Sequence, residues 1–175
     1  VAIAMSAAGV AEAAGTDAGT TVSNTFTLNY QVGGVSQTQI DNIASPTQFT
    51  VDRLVDLTVT SQGDTNVAPG ATAQTVVFRV QNDGNDNQAY SFALKDVAGD
   101  DFDATGLTAA YFVDDGDGVF EPGADDGAGT AYTLGSGSAS PDIAADATVW
   151  VRLSGNIPGG QTDGDTDSMS LIADS

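Results

Sequence analysis

From residue 20 onward the chain alternates apolar and polar side chains with a period of two, and no stretch repeats convincingly at 3.6. A chain patterned in this way buries one face of each extended segment and folds as sheet. Clusters of Gly, Asn and Asp separate the segments, and these residues accept the positive φ of tight turns or bond their own backbone there. The run Asn82-Asp83-Gly84-Asn85-Asp86-Asn87 is the strongest of these turn signals.

The first alternating segment covers residues 22–32. Val22, Phe26, Leu28, Tyr30 and Val32 share one face with Asn24, while Ser23, Thr25, Thr27, Asn29 and Gln31 share the other. Gly33-Gly34 follows, a two-residue turn with both centres free to take positive φ, and Val35 to Asp41 returns as the partner strand. A second run carries Phe49, Val51, Val55, Leu57 and Val59 on one face. After it come Thr75 to Asn82, Ala89 to Lys95, Leu107 to Val113, Ala131 to Leu134, Thr148 to Ser154 and Ser168 to Ala173. Seven short strands at this spacing predict an all-β antiparallel sandwich. The expected division is therefore residues 1–19 as leader or arm, 20–46 as a strand and hairpin, and 47–175 as the sandwich.

Residues 1–13, VAIAMSAAGVAEA, are small and apolar, and Ala11-Glu12-Ala13 has the small-x-small form of a signal-peptidase site. The segment is either the end of a secretory signal or a retained arm, and it is too short to span a bilayer alone. Either way the expectation is a secreted or surface protein without a transmembrane span.

Charge sets the function classes. The 175 residues hold 24 acids against 4 cations, a formal −20, and 22 of the acids are Asp. Such a chain repels nucleic acid. It has no Cys and no His, so thiolate nucleophiles, disulfides, imidazole bases and His-ligated metals are all excluded. No enzyme activity is expected. Only 16% of residues are charged and 41% are apolar, so a folded core is within reach despite the net charge.

Val67-Ala68-Pro69-Gly70 followed by Val77-Phe78-Arg79-Val80-Gln81-Asn82-Asp83-Gly84-Asn85 resembles the Pro-Gly, strand, Asn-x-Gly-Asn signature of the conserved-repeat Ig-like domains of bacterial and archaeal surface proteins. The leader AGTDAGTTVSNTFTLNYQVGG also resembles the opening segment of such exported proteins. The resemblance implies an Ig-like sandwich serving as an adhesin or envelope module. Tandem arrays are common in that family, whereas this chain contains a single copy.

Two sets of residues are candidates for function. The first is the loop from Val113 to Asp126, where Asp114, Asp115, Asp117, Glu121 and Asp125 surround Gly116 and Gly118 in the D-x-D-G manner of calcium loops. With Gly118 at loop position 6, positions 1 and 12 fall on Val113 and Ala124, so the match to an EF-hand is partial. Its two readings are a weak Ca²⁺ site and an acidic turn without metal. The second set is Val22, Phe26, Leu28, Tyr30 and Val32, an apolar face on a strand that a seven-strand sandwich does not need. That strand either folds back onto its own sandwich or is donated to a neighbouring copy, which makes a filament. In outline the second case is similar to fibre proteins of the TasA type and to pilins. The expectation is thus a homopolymeric extracellular or biofilm-matrix subunit, against a monomeric calcium-dependent adhesion or carbohydrate-binding module. Further acids at Asp96, Asp100, Asp101 and Asp103 and at Asp163, Asp165 and Asp167 lack ligand spacing and read as solvated loops.

Overall fold

The computed structural model describes residues 15–125, 127, 129–135, 140 and 142–174, so residues 1–13, expected as a signal end or a retained arm, lie outside the described residues. The chain is all-β, with thirteen strands and no helix among the described residues; none is therefore long and apolar enough to cross a membrane as a helix. It divides into two compact units, Val1–Leu54 and Val55–Ser175.

The first unit is one long, interrupted hairpin. Strand β1 (Thr21–Asn24) pairs with β6 (Thr47–Thr50), β2 (Thr27–Leu28) with β5 (Ile40–Asp41), and β3 (Gln31–Val32) with β4 (Val35–Ser36), all antiparallel. Gly33 and Gly34 make the turn at φ 60° and 83°, which side chains resist and glycine does not. The returning limb carries the extra residues: 42–46 lie opposite 25–26, and 37–39 opposite 29–30. Asn42 satisfies the first irregularity. Its Oδ1 accepts the Phe26 N–H at 2.7 Å and its Nδ2 donates to the Asn24 carbonyl at 3.0 Å, replacing ladder bonds that the extra residues displace.

This corrects two sequence expectations. The return strand does not end near Asp41 but runs on to Thr50, and the boundary between units falls after Leu54 rather than after residue 46. Phe49 and Val59 keep the same parity, yet residues 51–56 between them carry no strand. Alternation alone does not register that break.

The second unit holds seven strands among the described residues, as expected. A five-stranded antiparallel sheet has the order β11 (Thr130–Tyr132), β10 (Thr105–Val113), β12 (Thr148–Asn156), β8 (Gln74–Asn82), β7 (Leu57–Ser61), and a two-stranded sheet joins β13 (Met169–Asp174) to β9 (Ser91–Asp96). The inward residues of both sheets meet in one core: Phe78 and Val80 from β8, Val149, Val151 and Leu153 from β12, Phe92 from β9 and Leu171 from β13, with Tyr90 and Tyr132 beside them. This is a sandwich held by apolar burial between its layers.

The outer face of the five-stranded sheet is also closed over its centre. Phe112 and Trp150, which point away from the main core, are buried, and Phe120 packs on both at ring-centroid distances of 5.2 and 5.8 Å. The Arg152 guanidinium lies 4.7 Å above the Phe112 ring. Gly129 is required here, because a Cβ at that position would sit 2.5 Å from the Phe112 ring.

Candidate functional site

The arm places its predicted residues as an apolar face that nothing in the hairpin buries. The registered pairs Val22–Phe49, Leu28–Ile40 and Val32–Val35 all fall on even positions of the first limb, the parity of Phe26 and Tyr30. Phe26 is 57% exposed and Val32 61%; Leu28 and Tyr30 are exposed as well, and Val22 is half-buried. No described residue of this unit is buried. A two-stranded ribbon has one layer, so its apolar side chains have no second layer to meet, and such ribbons are marginal alone in water.

The acidic loop after β10 is organised around its own backbone. Asp114 Oδ1 accepts the Trp150 indole N–H at 2.8 Å, and its Oδ2 accepts the Gly116 and Gly118 N–H groups at 3.0 and 3.2 Å. Asp115 accepts from the Asp117 N–H at 3.3 Å and Asp117 from the Val119 N–H at 2.8 Å. Asp125, 0% exposed, accepts the Asp115 and Glu121 N–H groups, while the Glu121 carbonyl accepts those of Ala124 and Asp125. These are successive Asx turns, in which a short carboxylate bonds a backbone donor two residues on. No three of Asp114, Asp115, Asp117, Glu121 and Asp125 bring carboxylate oxygens within 4.8 Å of one another. Turn formation and the anchor on Trp150 organise the loop.

The acids expected to lie in separate solvated loops are instead brought together. The Asp101 N–H donates to the Thr166 carbonyl at 2.8 Å and the Thr166 N–H to Asp101 Oδ2 at 2.9 Å. The Ser168 N–H donates to Asp100 Oδ2 at 2.7 Å, and the Ala104 N–H to Asp167 Oδ2 at 2.9 Å. The 97–104 and 157–168 loops are thereby laced together, and Asp96, Asp100 and Asp103 form the one group of three carboxylates within 4.8 Å among the described residues. Lost hydration, then the charges of Asp103 and Asp100, hold the Asp96 carboxyl above the usual aspartate range. Burial raises Asp167 in the same way, with Asp100, Asp103 and Asp96 adding to it against the Ala104 hydrogen bond. Asp165 goes the other way, because Thr162 donates to it from both backbone and hydroxyl. No spacing rule in the sequence predicts the lacing of the two loops, whose partners lie more than sixty residues apart, whereas Asp96, Asp100 and Asp103 are near one another in the chain.

Compared with protein-family models, with curated proteins and with solved structures, the chain shows no match to any of them.

Proposed function

We propose that this protein is an exported, non-enzymatic structural subunit that homopolymerises at a cell surface or in an extracellular matrix, each copy adding its N-terminal arm to the sheet of the next. The single observation that carries this reading is the arm itself, an extended hairpin with exposed apolar side chains along its first limb and no core of its own. Exposed apolar surface of that extent marks an interaction site, and main-chain donors along a strand edge supply the strength of a strand-addition joint. Alternate side chains Val22, Phe26, Leu28, Tyr30 and Val32 set its register. Because donor and acceptor lie on different parts of the same chain, the contact is head-to-tail and propagates without closing. The sandwich is read as Ig-like on the strength of its seven strands and of the loop built by Asn82. That side chain donates to the carbonyls of Asp86 and Ile143 and accepts from the Gly84 N–H and the Tyr90 hydroxyl, which gives the Asn-x-Gly-Asn signature a structural reason.

The alternative, a monomeric calcium-dependent adhesion module, rests on the Asp114 to Asp125 loop, whose carboxylates are already engaged by backbone donors. Negative-stain microscopy of the full chain separates the two. Regular filaments that disappear in Leu28→Asp are expected; dispersed particles at high concentration overturn the proposal.

A further inference from the structure

A strand-adding subunit needs an acceptor, and the two outer edges of the two-stranded sheet of the sandwich differ in a way that points to one. In the two-stranded sheet, the outer edge of β9 is already covered. Its Phe92 carbonyl accepts the Gly135 N–H at 2.9 Å and its Phe92 N–H donates to the Tyr132 hydroxyl at 3.0 Å, while at neighbouring Tyr90 the carbonyl and N–H bond to Ser140 at 2.6 and 2.9 Å. The outer edge of β13 carries no such hydrogen bonds among the described residues: β9 is its one paired neighbour, and β7 of the facing sheet lies near it without pairing. Proteins protect free edges with proline, lysine or bulges. Residues 169–173, MSLIA, carry none of these, and the one charge of the strand is Asp174 at its end.

Beside this edge lies a cleft of about 890 Å³ between the layers, reached by Ser61 at the end of β7 and by Met169 and Ser170 of β13. Apolar side chains line it, among them Val76, Phe78, Phe102, Leu107, Leu153 and Met169. Asp64, Asp163, Asp165 and Asp167 line it as well. Five strands thus face two, and of the two edges of the smaller sheet that of β13 is the one without such bonds among the described residues.

Charge decides what can enter. Two copies at −20 repel one another, and an acidic border repels most of the surface of a second copy. Residues 18–40 contain no charged side chain at all, the longest such run in the chain. They are also the residues that present the exposed apolar face. We propose that the free edge of β13 and the apolar cleft beside it receive the first limb of the arm of a second copy, with Val22 to Val32 facing the cleft. This rests on the strand-addition reading and assigns its acceptor. The joint extends the two-stranded sheet by β-augmentation, continues the inward row of Met169, Leu171 and Ala173, and leaves the odd positions Thr25, Thr27, Asn29 and Gln31 on the outer side with Ser170.

The chain has no cysteine, so introduced thiols are unique. Full-length Ser170→Cys is mixed with full-length Thr25→Cys, Thr27→Cys or Asn29→Cys in turn and oxidised. Facing strands bring Cβ atoms close enough for a disulfide only where side chains share a face. The expected product is a mixed dimer at twice the chain mass from at least one of these pairs. Leu28→Cys, on the opposite face, and Thr58→Cys, on the exposed face of β7, serve as partners that give none. Filaments in the microscope with no mixed dimer from any odd position overturn the acceptor and leave strand addition standing. No assembly at all overturns strand addition itself. A disulfide formed only within chains carrying both substitutions returns the arm to its own sandwich, and a small apolar molecule held in the cleft in native mass spectrometry replaces the arm as occupant; either overturns the proposal.

Discussion

The arm and the sandwich are made from the same alternating code, yet only one of them has an inside. In β12 both parities are buried, since Val149, Val151 and Leu153 meet the second sheet while Trp150 meets Phe120. In β1, β2 and β3 the same alternation yields a face that stays in water. Period two makes a strand; a second layer makes a core. The difference leaves one unit with a core and the other with its apolar side chains exposed.

Substitutions sharpen that contrast. Trp150→Ala should cost the sandwich about 4 kcal/mol, because it empties a buried aromatic site and leaves Asp114 without its indole donor. Thermal unfolding measures it, and a change below about 1 kcal/mol would show that the acidic loop does not seal the outer sheet face. Asn82→Ala should cost about 2 kcal/mol, since the Gly84 N–H and the Ile143 carbonyl lose a buried partner. Leu28→Asp should move the sandwich transition by less than about 0.5 kcal/mol, as exposed substitutions do, while abolishing assembly in sedimentation. Equal loss of stability and assembly would break the division of labour between the units.

The smallest effect is in the pH profile. Asp96 and Asp167 titrate above their unfolded values, so between the unfolded and folded pKa the folded chain holds more protons. Stability therefore rises as pH falls through the raised folded values, and the gain is complete at the unfolded value. Asp165 acts oppositely and later, its contribution being lost only as pH falls through its lowered folded value. Asp103→Asn should raise the melting temperature at pH 7 and flatten the rise; a steeper profile would disprove the repulsion.

Much of the sandwich is legible in the sequence because its strands are short, alternating and separated by turn residues with a local mechanism. Gly33-Gly34 and the Asn82 to Gly84 turn act within a few residues of themselves, and both behave as their chemistry requires, while the bond from Asn82 to Ile143 is one that no local pattern announces. The break after Thr50 is invisible because apolar parity continues through a segment that forms no strand. The acidic residues are legible only in part. At Asp114 to Asp125 the ligand-like spacing coincides with carboxylates that bond backbone donors; Asp96, Asp100 and Asp103 are already close in sequence, whereas the approach of Asp167 to them joins two loops that no local pattern connects.

Trp150 is the one tryptophan of the chain, and it is 1% exposed with its indole N–H held by Asp114. The protein thus carries an optical probe confined to one of its two units. Fluorescence emission should shift when the sandwich opens and stay silent when the arm docks, detaches or frays, so an assembly reaction and an unfolding reaction can be told apart in the same cuvette without a label.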